Sequence, residues 1–180
     1  TKIDFAAFTP MQLFSITENA EHLRKAGTIS KIILGGESIS PKLQQSISQL
    51  PNEVYATFGM TETISHIALK LLNGENTEAH FKALYGIKIA ADAKNCLVIE
   101  APALEQPHLV TNDIVTIVSE NEFDWLGRID NVINSGGVKI YPEAIEKKLQ
   151  AQIHFPFFIG SVPDERTGEK IVLVVQAKAI

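Results

Sequence analysis

The chain has 180 residues, 45% hydrophobic and 21% charged, enough apolar mass for a packed core and none of the bias of a disordered chain. A net charge of −5 and an isoelectric point near 5.5 leave no basic footprint for nucleic acid or an anionic membrane, so small molecules are the expected partners. Cys96, the single cysteine, has no partner for a disulfide or metal cluster, which fits a reducing cytoplasm, and apolar runs such as Ile171 to Val175 fall far short of the roughly 20 residues of a membrane span. No signal peptide is visible, and a start at Thr1 with a stop at Ile180, just after a strand-like run, reads as a piece of a longer protein.

In chain order, Thr9-Pro10 is a helix start, with Thr9 as N-cap, and predicts one helix through Met11 to Lys25 that ends at Gly27. Lys31 to Leu34 reads as a short buried strand running into Gly35-Gly36. Ser40-Pro41 opens a second helix to about Leu50, and Asn52 to Thr57 is a further strand. This alternation predicts a parallel sheet covered by helices, whose ligand sites lie at the carboxyl ends of strands, where Gly35-Gly36 and Gly59 fall. From Ser65 the texture changes to short strands between polar turns: Ser65 to Leu71, Gly86 to Ala90, Cys96 to Ala101, Ile114 to Ser119 and Phe123 to Leu126, a mainly antiparallel unit. A Gly-containing connection spans Arg128 to Val138. A helix from Pro142 to about Ile153, a strand Pro156 to Val162, a turn at Pro163 to Gly168 and a β-branched strand Lys170 to Ala177 follow. The fold class expected is mixed α/β, with residues 1–128 in a large unit and 129–180 in the start of a small, truncated one.

Four stretches carry candidate chemistry. In Tyr55-Ala56-Thr57-Phe58-Gly59-Met60-Thr61-Glu62 a strand ends in a glycine turn: Phe58 offers a flat face for a base, Thr61 an oxygen for phosphate, and Glu62 a hard ligand for Mg²⁺. A strand end with Thr61 as N-cap is the plainer alternative. Leu34-Gly35-Gly36-Glu37 allows close backbone approach to a ligand, or is simply a tight strand-to-helix turn. Thr111-Asn112-Asp113 places a carboxylate able to accept from two ribose hydroxyls, or forms an Asx-turn. In Gly127 to Glu146, Arg128 is a donor fork for phosphate or ribose and Asp130 sits at the junction of the two units. Gly136-Gly137 lets a narrow ligand arm pass, and a linker followed by a surface helix is the alternative. No Gly-x-x-x-x-Gly-Lys-Ser/Thr frame occurs, so this is not a P-loop.

Taken in this order, the stretches resemble the adenylate-forming superfamily of acyl-CoA synthetases, luciferases and peptide-synthetase adenylation domains. Leu34 to Glu37 is similar to its Gly-Gly-Glu adenine loop, Tyr55 to Glu62 to its Tyr-Gly-x-Thr-Glu motif, Thr111 to Asp113 to its Thr-Gly-Asp, and Gly127 to Glu146 to its Gly-Arg-x-Asp hinge. Ser161 to Val175 resembles the Gly-x-Pro-Asp turn and strand of its small domain. The resemblance implies ATP, Mg²⁺ and CoA as cofactors and a carboxylic acid as substrate. It places the nucleotide on Gly35, Gly36, Glu37, Tyr55, Ala56, Phe58, Gly59, Met60, Thr61, Asp113 and Arg128, with Thr61, Glu62 and Arg128 catalytic and Glu62 on the metal. It makes Asp130 the hinge and brings Ser135, Gly136 and Gly137 to the pantetheine arm of CoA. Phe58 replaces the commoner tyrosine, Asn112 a glycine, and Asn134 a frequent lysine.

Ala7 to Leu13 and Met60 to Ala68 further resemble the o-succinylbenzoate-CoA ligase subgroup, which makes Ser65 and His66 candidates for the acid; a surface histidine is the plainer reading. The family's Gly-rich phosphate loop and its C-terminal catalytic lysine find no match in the chain. Losing one preorganised donor of that kind costs on the order of a hundredfold or more, so the chain alone is expected to be nearly inactive. Another acyl- or aryl-CoA ligase, or a non-catalytic nucleotide-binding module, are the alternatives.

Overall fold

The computed structural model describes residues 3–36, 38–153 and 155–176. It is a mixed α/β structure with two sheets. The larger sheet has nine strands: β1 (Phe5–Phe8), β2 (Lys31–Leu34), β3 (Glu53–Gly59), β4 (His66–Leu71), β5 (Phe81–Ala83), β6 (Lys88–Ala91), β7 (Cys96–Glu100), β8 (His108–Ser119) and β9 (Glu122–Arg128), in the order β1-β2-β3-β4-β5-β9-β8-β7-β6. Pairing is parallel from β1 to β3 and antiparallel from β3 onward. The parallel and antiparallel units expected from the sequence are thus halves of one continuous sheet. β1 and β5, which have only four and three residues, went unread in the sequence.

Helices α1 (Pro10–Thr17), α2 (Ala20–Ala26) and α3 (Pro41–Ile47) belong to the parallel half. The single helix expected to Lys25 is two, because the Asn19 side chain accepts from the backbone N–H of both Glu21 and His22 and so caps a new helix. Leu13, Ile32, Leu34, Leu43, Ile47 and Val54 form one core here, and Ile67, Leu97, Ile99, Val115 and Phe123 a second in the antiparallel half.

Asn73 ties the parallel half together from within. Almost fully buried, it accepts from Val54 N at 3.0 Å, and its amide nitrogen lies 3.2, 3.1 and 2.8 Å from the carbonyls of Ile47, Leu50 and Asn52. One side chain therefore satisfies the end of α3, the loop after it and the start of β3.

The smaller sheet holds β10 (Ile133–Ser135), β11 (Val138–Ile140), β12 (Phe157–Asp164) and β13 (Gly168–Val175) in the order β11-β10-β13-β12, with α4 (Pro142–Leu149) packed on β12. The segment read as a Gly-containing connection holds a 3₁₀ turn at Ile129–Asn131 and the β10–β11 hairpin. Gly136 and Gly137 have φ of +58° and +82°, the left-handed pair that a two-residue hairpin loop demands. Asp164 takes the amides of Arg166 and Thr167 and the Thr167 hydroxyl. Glu169 accepts from Ser161 Oγ and Asn134 N.

Replacing Asn73 with leucine strands several buried backbone groups and should cost about 3 kcal/mol in a urea titration. Hydrogen bonds from Thr167, and from Ser161 and Asn134, hold the carboxyls of Asp164 and Glu169 below the ordinary range. Their support is therefore present above the pH at which free carboxylates titrate and fades as pH falls through the lowered values. Protection of the Asn134 and Thr167 amides against hydrogen exchange should drop over that window in the wild type, and the Thr167 dependence should flatten in Asp164→Asn.

Candidate functional site

β3 carries the chain to the centre of the larger sheet and releases it at Gly59. There is no room for a side chain there: a Cβ would lie 2.5 Å from the Ser65 carbonyl oxygen and 2.6 Å from His66 Cα, where the pairing with β4 bulges. The link between the strands is a 3₁₀ turn at Thr61–Thr63 followed by a tight reversal. Ser65 N donates to Thr63 O at 2.6 Å around Ile64, whose φ of +64° and ψ of −41° make this a γ-turn of the rare, strained hand. Thr63, which the sequence reading passed over, pins the reversal from inside. Its buried hydroxyl accepts from Met60 N at 3.0 Å and lies 2.9 and 2.7 Å from the carbonyls of Met60 and Ser65. Ile64 itself is 81% exposed, so packing among the described residues does little to offset its strain.

Two depressions meet at this reversal and share Gly36, Thr57, Gly59 and Met60. The larger, about 840 Å³, runs between the sheet and α4 and gathers Gly36, Ala56, Phe58, Gly59, Met60, Asp113 and Arg128. Phe58 presents a half-buried ring there, held edge-on to Phe123 at 5.1 Å and tilted to Phe81 at 5.8 Å. Asp113 lies within β8 rather than at a strand entrance, and its amide donates to Thr111 Oγ1 at 3.1 Å, so the side chain that serves the backbone here is that of Thr111. Its Oδ1 accepts from the Trp125 indole at 2.8 Å, and strand pairing sets it opposite Arg128. Arg128 and Asn112 both reach Asp130 Oδ2, at 3.3 and 3.5 Å, tying the junction between the sheets to the larger one through exposed contacts of small energy.

The smaller depression, about 570 Å³, takes Gly35, Gly36, Gly59, Met60, Thr61, Ser65 and His66 with Phe8, Thr9, Gln12 and Ile64. Ser65 Oγ lies 3.1 Å from His66 Nδ1. Gly35 is needed by contact, since a Cβ would meet Thr57 Oγ1 at 2.6 Å, whereas Gly36 is needed by its φ of +96°.

Not every expected residue comes to these depressions. Tyr55 lines neither; its hydroxyl donates to Glu53 at 3.1 Å, and burial, then the Glu53 carboxylate, pushes its ionisation up. Ser135, Gly136 and Gly137 lie in the β10–β11 hairpin, outside both. Glu62 is exposed beside Thr61 and lines neither wall. Among the described residues no cluster of three or more His, Cys, Asp or Glu could hold a metal ion. Glu37 lies outside the described residues. Trp125, Phe81 and Phe123 went unnoticed because spacing along the chain does not show that β5, β8 and β9 are neighbours.

Glu143, in the first turn of α4, faces the larger sheet. Its Oε1 accepts from Asn131 at 2.5 Å, while Oε2 is buried without a hydrogen-bond partner against Gly127, where a Cβ would run into the carboxylate.

No family model matches the chain. A solved acyl-CoA synthetase (AMP-forming)/AMP-acid ligase II-like protein from Dyadobacter fermentans is 41% identical with a TM-score of 0.68, over 98% of this chain and 52% of its own. The 2-succinylbenzoate–CoA ligase of Salmonella typhimurium is 25% identical over 95% of this chain and 39% of its own length. The unliganded O-succinylbenzoate coenzyme A synthetase of Bacillus subtilis, 21% identical, shares the fold at a TM-score of 0.76 over 99% of this chain and 44% of its own. Homologues and structural neighbours of this chain are thus acyl-CoA synthetases and AMP-acid ligases. The chain spans about two fifths of the length of the curated 2-succinylbenzoate–CoA ligases it matches, in their C-terminal part.

Ile64→Gly should stabilise the chain by about 1 kcal/mol, strain relieved less glycine's backbone entropy, and Thr63→Val should cost about 2 kcal/mol, both read by urea denaturation.

Proposed function

We propose that this homologue of the acyl-CoA synthetases and AMP-acid ligases carries the adenosine-binding wall of an AMP-forming acid–CoA ligase whose acid is 2-succinylbenzoate. One observation carries the reading: residues from four separate stretches, Gly36, Phe58 to Met60, Asp113 and Arg128, converge on one cleft. In this reading a base lies against Phe58 beside Gly36. Asp113 keeps one carboxylate oxygen on Trp125 and offers the other to ribose hydroxyls, and Arg128 holds ribose or phosphate oxygens. The α-phosphate lies near Thr61, and the acid enters the smaller depression toward Ser65 and His66. The acid's carboxylate attacks that phosphate and expels pyrophosphate; the CoA thiol then attacks the acyl carbonyl and releases AMP. Positioning and electrostatics do the work, with no covalent enzyme intermediate.

Mg²⁺ is held in such sites by one or two carboxylates, substrate phosphates and water, and exposed Glu62 next to the Thr61 hydroxyl is a donor set of that kind. When bound, the ion would supply charge neutralisation at the transferred phosphate. Residues 1–128 and 129–180 form two units that reorient at Asp130, which brings Ser135 to Gly137 toward the pantetheine arm. The acid rests on the subgroup motifs and on 2-succinylbenzoate–CoA ligases matched at 23 to 27% identity. By itself the chain binds the adenylate without turning it over, since it carries no Gly-rich phosphate loop.

Trp125 is the only tryptophan, and its indole touches Asp113. Titration with the acyl-sulfamoyl adenosine analogue of 2-succinylbenzoate should therefore change its fluorescence saturably. Asp113→Ala should weaken binding at least about tenfold. A folded wild type with no response to this analogue would sink the reading; equal binding of benzoyl and fatty-acyl analogues would sink only the choice of acid.

A further inference from the structure

Lys70 is a half-buried lysine that none of the roles above uses. It stands on β4 directly opposite Ala56 of β3, and Ala56 is in turn paired with Leu34 of β2. Side chains alternate along strands, so Leu34, Ala56, Phe58 and Lys70 share one sheet face, and all four line the larger cleft.

The ammonium is poorly compensated there. Among the described residues it makes no ion pair, and its one hydrogen bond goes to the Ala79 carbonyl at 2.6 Å. The two carboxylates that favour its charge, Asp124 and Glu78, do so without an ion pair to it; Glu78 accepts from Leu71 N, and Asp124 Oδ2 lies 2.9 Å from His80 Nδ1. Burial first, and then the charge of Lys147 on α4, hold Lys70 below the usual lysine range. A lysine ammonium has three donors, so two remain for a ligand in the cleft.

Resting on the nucleotide reading of this cleft, we propose that Lys70 reads the base: its ammonium donates to an unprotonated ring nitrogen of a purine lying beside Phe58. The ligand class is a purine with in-plane acceptors, as in adenine, whose ring nitrogens N1, N3 and N7 all lack hydrogen. The partner atom has to lie in the ring plane, because the lone pair of an unprotonated ring nitrogen lies there.

The test is a cycle between ligand and side chain. The 180-residue chain and Lys70→Met, which keeps the apolar stem, are titrated calorimetrically with AMP and with its 1-deaza, 3-deaza and 7-deaza analogues, each lacking one acceptor. In the wild type one analogue should bind about tenfold more weakly than AMP. In Lys70→Met that same analogue should bind as AMP does, and Lys70→Arg, which restores donors, should recover part of the difference. Deaza penalties that are absent in the wild type, or that persist unchanged in Lys70→Met, overturn the proposal while leaving nucleotide binding standing. A folded wild type that binds neither AMP nor the acyl-adenylate analogue overturns the nucleotide reading and this inference with it. Thermal midpoints of the variants within a few degrees of the wild type exclude misfolding as the cause.

Discussion

The close approach of two backbones at Gly59 is the constraint on which the larger sheet depends. Parallel pairing ends and antiparallel pairing begins at β3, and the chain turns back on itself in the few residues between Gly59 and His66. Such a turn cannot be made loosely. It is closed by the buried Thr63 hydroxyl and by a γ-turn at Ile64 that a β-branched residue tolerates only under strain. Because Met60, Thr61, Ser65 and His66 sit on the reversal, the same hydrogen bonds that close the sheet also fix the rims of both depressions.

Charge in the larger cleft is arranged in short circuits. Asp113 faces Trp125, Arg128 faces Asp130, Asp124 faces His80 and Glu78 caps the Leu71 amide. Asp113, Asp124, Arg128 and Glu78 all line the cleft, and such spaced polar groups suit a ligand with several polar atoms better than a single large charge. These contacts come from β4, β8, β9, the loop before β5 and the 3₁₀ turn after β9, so the cleft forms only after the strands have found their order.

Much of this was legible in the sequence, in particular places. Thr9-Pro10 and Ser40-Pro41 mark helix starts that the structure caps as expected, and the shift to antiparallel strands after Ser65 stands. The failures have local causes. Asn19 cuts one amphipathic run into two helices because a cap outweighs periodicity there, and β1 and β5 are too short to show alternation. Of the site, the glycine turns and the paired Asp113 and Arg128 could be read from motif and order. Thr63 and Trp125 could not, since their roles come from partners across a turn or a neighbouring strand, and Tyr55 lines neither depression, its hydroxyl turned to Glu53 on the same strand.

The contact between Gly127 and Glu143 bears on how this sequence can change. One residue closes the last strand of the larger sheet and the other opens the helix of the smaller, and no space separates them. Position 127 is closed to side chains twice over, by this contact and by a φ of +143° that strains any residue with a Cβ, and shortening Glu143 would remove the acceptor that Asn131 uses. A bare backbone at 127 thus leaves the space that the Glu143 carboxylate fills, and the same carboxylate holds Asn131, so the two ends of the connection are bound together through one side chain.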